Sequence, residues 1–350
     1  MTVRTELLCS DNFTPPSRTP WGGRKILDVY KSGLDLSVPD GCVGESWEVS
    51  VEPSFPSRML ATQSLLSEVI AHDPEAWLGK DVARRYEGQT PLLVKLLDAA
   101  DNLSVQVHPH HSDPLLKPGE SGKPEGWIIL DAEPGCGIYL GFKPGIGASE
   151  VQACLDTGGR LDELMNFVEV TVGDAFYIDA GTPHAIGKGV TLLEPQLVVP
   201  GCRGVTYRFW DWNRRYSADG TLDPEGDPRP LHIARSLAVS TFQPEGEPCV
   251  VERSRFHPIP FEKEEWEFDR TLVLKAPTFL VESWSGTGQR TFTPCDSLLT
   301  LTCIRGQARF ESERGATNLR RGQSAVVPAA ERDFTLYLYR GEIAMCRTTV

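Results

Sequence analysis

The chain has 350 residues, 40% of them hydrophobic and 24% charged, with a formal net charge of −13. That length suits one large or two ordinary domains, and the acidic balance argues against nucleic acid or an anionic membrane as partner. No run approaches the ~20 apolar residues of a membrane span, and the N-terminal "MTVRTELLCSDNF" has no apolar signal core, so a cytoplasmic protein is expected. Its nine cysteines include no CxxC pair, which fits reduced thiols.

In chain order, "ESWEVSV" (45–51) reads as the first clear strand, β-branched and alternating. The stretch 62–86 is helical, with Leu65, Leu66, Val69 and Ile70 as its stripe, and predicts a short helical insertion over about 62–90. "LSVQVH" (103–108) and "GWIIL" (126–130) return to strand. "ASEVQACLDTGGRLDELMNF" (148–167) holds one or two short helices broken at Gly158-Gly159. "FVEVTVGDAFYI" (167–178), "VTLLEPQLVV" (190–199) and "VTYRFW" (205–210) are further strands. The polar, Gly/Pro-rich segment 213–230 is a loop, and "PLHIARSL" (230–237) a short helix. After that loop come more strands, such as "SLLTLTCIRGQARFES" (297–312) and "FTLYLYRG" (334–341), which look like a second β domain from about residue 241 onward. The reading is mainly β, in two units: 1–240 with the helical insertion, and 241–350.

In "NLSVQVHPHH" (102–111), strand alternation sends Leu103, Val105 and Val107 to one face and Ser104, Gln106 and His108 to the other. One face is apolar and the other carries polar, metal-capable groups. Pro109 is expected to end the strand, leaving His110 and His111 outside it, although a register using His108 and His110 is a rival. A faint repeat links "GDAFYIDAGTPH" (173–184) to "GQSAVVPAAERD" (322–333), but the second copy has Asp333 where the first has His184.

The first copy resembles the second cupin motif through Gly173, Gly181 and His184, with Asp179 in place of the usual proline. Gln106-Val107-His108 stands where cupins carry a His-x-His pair, and Glu125 follows as the carboxylate. Ligands at i and i+2 share a strand face, and a carboxylate and a second imidazole can arrive from neighbouring strands. Two histidines, one glutamate and a neutral amide leave the open position of a catalytic zinc site, although such a set also accepts Mn, Co or Fe.

Six blocks in order make the resemblance specific: "WGGRKI", "GESWEVS", "PLLVKLLDAADNLSVQVHPH", "GKPEGWIIL", "GDAFYIDAGTPHAIGKGVTLLEPQ" and "VTYRFWDWNR". Together they resemble the type I mannose-6-phosphate isomerases in their compact bacterial form, without the large helical insertion of eukaryotic members. The resemblance implies two cupin-like, jelly-roll β-barrels, the second metal-free. It implies one Zn2+ per chain on Gln106, His108, Glu125 and His184. It draws Lys123, Glu194 and Arg208 in as catalytic groups, and Lys95 and Ser104 as binders of the sugar phosphate. The partner expected is therefore a small sugar phosphate, with no nucleic acid or membrane; a monomer is expected and a homodimer left open. Lys123, Glu194 and metal-bound water are rival bases, and Arg208 could serve phosphate or enediolate. An Fe(II) cupin oxygenase and a non-catalytic sugar-phosphate-binding cupin are the alternatives.

Overall fold

The computed structural model describes residues 3–37, 41–245, 249–293 and 296–349. The molecule is mainly β, and three antiparallel sheets carry most of it. The first has six strands in the order Arg255–Phe256, Ala175–Ile178, Glu125–Ala132, Val190–Leu197, Leu92–Asp98, Glu45–Val49. The second has five: Tyr207–Trp210 at its edge, then Val105–Val107, His184–Ile186, Gly137–Phe142 and Met165–Glu169. The third is built from residues after 258, with one exception: Glu6–Leu7 pairs with Ser324–Val327, which puts the start of the chain in the C-terminal sheet.

The first two sheets pack face to face, because alternation along each strand aims one row of side chains inward. Leu97, Trp127, Ile129 and Leu192 from the six-stranded sheet meet Ile138, Leu140 and Ile186 from the five-stranded one in a buried cluster. The next residues along those inward rows are polar: Lys95, Glu125, Glu194 and Gln196 on one sheet, His184 on the other. The inner face is thus apolar at one end and carries chemistry at the other.

The outer face of the five-stranded sheet, including Val105, Val107 and Phe209, packs under the helices Ala148–Asp156 and Ile233–Val239. Leu103 departs from its expected face. The regular strand starts only at Val105, and Leu103 turns into the inter-sheet cluster. The helical insertion is three short helices, Leu66–His72, Pro74–Leu78 and Lys80–Arg85. Asp73 Oδ1 accepts from Ala76 N at the second, Gly79 at φ 79° separates the third, and Leu65 stands outside the stripe as an N-cap.

The other face of the six-stranded sheet meets those helices and the C-terminal sheet in one cluster that includes Leu66, Trp77, Val94, Leu193, Leu274, Phe279 and Val326. Gly126 permits the approach: a Cβ there would lie 2.2 Å from Leu274. A buried ion pair crosses the same junction. Lys31 Nζ lies 2.8 Å from Glu48 Oε1 and donates to Gly322 O, while Ser46 Oγ and Ser324 Oγ donate to the two Glu48 oxygens. Every partner is satisfied, which such burial requires.

Candidate active site

Three strands of the five-stranded sheet set Arg208, Gln106 and His184 side by side, with Gln106 facing Arg208 on one neighbour and His184 on the other. His108 follows immediately after the strand. The corner before His184 turns at Gly181, with φ 80°, and Gly181 N donates to His108 O at 2.8 Å. That bond ties the two imidazole-bearing segments together. The Glu125 strand brings its carboxylate from the opposite sheet.

His108, Glu125 and His184 offer ligand atoms that all lie within 4.8 Å of one another, and all three residues are buried. His108 Nδ1 donates to Val205 O at 3.0 Å and His184 Nδ1 to Thr182 O at 2.8 Å. With the ring protons so placed, each Nε2 presents a lone pair. Those nitrogens stand 2.9 and 3.8 Å from the Glu125 oxygens, yet neither makes a hydrogen bond. Protonating the rings is not the remedy. Burial, and then Lys123, depress the His108 pKa; burial, and then His108, push His184 down to about 3. Lone pairs facing a carboxylate call for a cation between them, and this N,N,O set fits a metal ion. Gln106 faces His184 across the strand pair and lines the same cavity. His110 is exposed and bonds Ser112, away from this focus.

Around the carboxylate the polar groups interlock. Lys123 Nζ lies 3.0 Å from Glu125 Oε1. Burial opposes the Lys123 charge, but Glu125 and Glu194 outweigh it and hold the ammonium above the usual lysine range. Burial likewise works against ionised Glu125, but Lys123 above all keeps it well below the usual carboxylate range. Glu194 goes the other way: burial first, then Glu125, push it up to about 8. Gln196 Nε2 donates to both Glu125 and Glu194 at 2.6 Å, and Trp127 Nε1 reaches the same two at 3.3 and 3.1 Å. Lys95 sits 3.8 Å from Glu45 and 3.6 Å from Glu194, over the Trp47 ring. Ser104 Oγ accepts from Arg208 Nε at 3.1 Å.

All nine residues singled out in the sequence therefore lie on or beside one cavity of about 650 Å³. Sequence reasoning missed Gln196 and Trp127, each two residues from a glutamate it had named. Period-two alternation from Glu194 and Glu125 points to both. It also missed Glu45, Trp47, Arg229 and Arg235. Eight lysines and arginines line the cavity against five carboxylates, a cationic pocket in an acidic chain.

Comparison with known proteins follows the same lines. Residues 18–130 match the model of the phosphomannose isomerase type I catalytic domain, and residues 270–348 that of the mannose-6-phosphate isomerase cupin domain. Mannose-6-phosphate isomerase of Streptococcus mutans is 30% identical over 311 residues, covering 88% of each chain. The chain belongs to the type I phosphomannose isomerase family. As a member of that family it is an isomerase. Mannose-6-phosphate isomerase ManA of Bacillus subtilis is 29% identical, over 91% of this chain and 92% of its own. The crystal structure of the Bacillus subtilis mannose 6-phosphate isomerase superposes with a TM-score of 0.79 over 99% of this chain and 100% of the other, at 24% identity. The fold is therefore shared from end to end with a bacterial phosphomannose isomerase.

Proposed function

We propose that the protein is a metal-dependent aldose–ketose isomerase interconverting mannose 6-phosphate and fructose 6-phosphate. The observation that carries this reading is the focus of two unprotonated imidazole nitrogens on the Glu125 carboxylate, inside a cation-lined cavity. We take Gln106, His108, Glu125 and His184 as the ligands of one zinc per chain, since an N,N,O,O set without thiolate leaves a position open. When bound, the ion would polarise the carbonyl and adjacent hydroxyl oxygens of the open-chain sugar.

The chain's own side chains supply the rest. Glu194, with a carboxyl poised near neutrality, takes the proton from C2 of the aldose and returns it to C1 of the enediol(ate). Lys123, held cationic, gives a proton to the O1 oxyanion that develops as C2 is deprotonated, and recovers one from the C2 hydroxyl as C1 is protonated and the C2 carbonyl forms. Gln196 and Trp127 fix the Glu194 oxygens in direction, and Lys95 braces the same carboxylate from the Glu45 side. Ser104 holds Arg208 toward the substrate. The two face-to-face sheets are read as the cupin-like unit of residues 1–240, with the edge strand Arg255–Phe256 added from the C-terminal stretch. The C-terminal sheet is read as a metal-free second unit over 241–350 that acts as scaffold.

The test is a coupled assay of mannose 6-phosphate turnover before chelation, after it, and after zinc is returned. Turnover that stops and is restored supports the reading. Full activity in metal-free protein, or none in zinc-loaded protein, sinks it. Oxygen uptake would indicate an oxygenase, and sugar-phosphate binding without turnover a sensor.

A further inference from the structure

A phosphate dianion in this cavity needs positive charge that the protein has not already neutralised. Lys95 lies between Glu45 and Glu194, Lys123 is paired with Glu125, and Arg203 is exposed beside Glu120. Arg18 lies over the Trp47 and Phe55 rings, and Lys117 is on the surface. Arg208 and Arg235 have no carboxylate partner among the described residues and Arg229 has one only at 3.7 Å, and all three lie on the side of the five-stranded sheet where Tyr207–Trp210 forms the edge.

Arg208 bonds only neutral groups, Ser104 Oγ and Pro230 O. Residues 229–235 lie along its strand: His232 N donates to Arg208 O, Arg208 N donates to His232 Nδ1, and the helix that follows packs on that strand. Arg229 Nη1 is buried without a hydrogen bond. Among the described residues its carboxylate contact is a 3.7 Å ion pair with Asp211 Oδ2, while Arg214 holds the other Asp211 oxygen at 2.7 Å. Arg235 Nη1 is also buried without a hydrogen bond and forms no ion pair among the described residues. These are the two guanidinium nitrogens so orphaned among the described residues, and both belong to one seven-residue stretch lining one cavity. Burial, and then Arg229, push Arg208 down to about 10, with Asp211 pulling more weakly the other way.

We propose that Arg229 and Arg235, beside Arg208, form the phosphate subsite of this cavity and set its preference for a phosphorylated over an unphosphorylated sugar. The inference rests on the isomerase reading for the identity of the sugar, but the subsite itself requires only a phosphate monoester dianion. Planar guanidinium forks suit its three terminal oxygens. The arrangement places phosphate at the edge strand and the reacting carbons two strands inward, by His184, so the open-chain hexose lies across the sheet.

The experiment compares the zinc-loaded wild type with R229Q, R235Q and R235K. It measures kcat/KM for mannose 6-phosphate and for mannose, and the Ki of inorganic phosphate. Metal content and melting temperature report whether each variant is folded. Each Gln variant should lower the mannose 6-phosphate to mannose ratio of kcat/KM by about 10- to 100-fold and raise the phosphate Ki in parallel, with R235K intermediate. Equal losses on both substrates, or an unchanged Ki in folded variants, would overturn the subsite. If a Gln variant fails to fold, R235K and direct calorimetric titration with phosphate decide in the same way. A wild type that binds phosphate through these arginines yet turns over neither sugar would reject the isomerase reading and leave the subsite standing.

Discussion

From Gly173 to His184 the chain runs through the strand Ala175–Ile178, turns at Gly181 and delivers an imidazole to the point that Glu125 reaches from the opposite sheet. From Gly322 to Asp333 the same rhythm gives the strand Ser324–Val327 and ends on an exposed aspartate. Ser324, the polar residue of that strand, bonds Glu48 and Thr302 at the junction between the sheets. The β-unit can therefore be repeated for packing alone. Chemistry appears only where facing strands bring further donors to the same point.

The sharpest break in this comparison is removal of the second region. Truncation near residue 240 should give insoluble protein, because it bares the apolar face formed by Leu66, Val94 and Leu193 and strands the buried Lys31–Glu48 pair. A soluble, zinc-loaded, active 1–240 fragment would show that the C-terminal sheet is an appendage. Next, His184→Ala or His108→Ala should remove the metal and lower kcat by roughly a thousandfold or more. Elemental analysis of the purified variant, with the coupled assay, checks both. Asp333→His, by contrast, should leave metal content at one ion per chain.

At the junction, Lys31→Met leaves Glu48 buried and unpaired, and should cost about 3–5 kcal/mol in urea unfolding, with kcat little changed. A loss below about 1 kcal/mol would mean that Glu48 is not held charged there. The metal-free protein should also show a pH signature of the first region. His184 has a folded pKa of about 3, below its unfolded value near 6.5, so the unfolded chain binds the extra proton. Its contribution to stability is present above pH ~6.5 and lost as pH falls toward 3. Denaturant midpoints measured across that window should fall less steeply in His184→Asn. Smallest of all, Gln106→Ala should weaken zinc affinity by only about tenfold, as expected for the weakest donor.

Much of the site was legible because strand alternation is a local rule. Gln106 and His108 two apart, Glu125 heading its strand, and the Gly173–Gly181–His184 spacing all survive folding because φ/ψ preferences act over a few residues. The same rule, applied from Glu194 and Glu125, reaches Gln196 and Trp127, whose importance lies in bonds that span strands.

By itself, the sequence determined the mainly β character, the helical stretch near residues 66–85, the pairing of chemistry with one face of a strand, and the family. Only the tertiary structure decided which of those faces meet. It set Lys95 between Glu45 and Glu194, brought Arg229 and Arg235 beside Arg208 across a polar loop, and sent Glu6–Leu7 to the C-terminal sheet. It also turned Leu103 inward, because the regular strand begins two residues later. The reason is physical. Which side of a strand a residue occupies follows from its own backbone, whereas which strand lies opposite is settled by burying apolar area across the whole molecule.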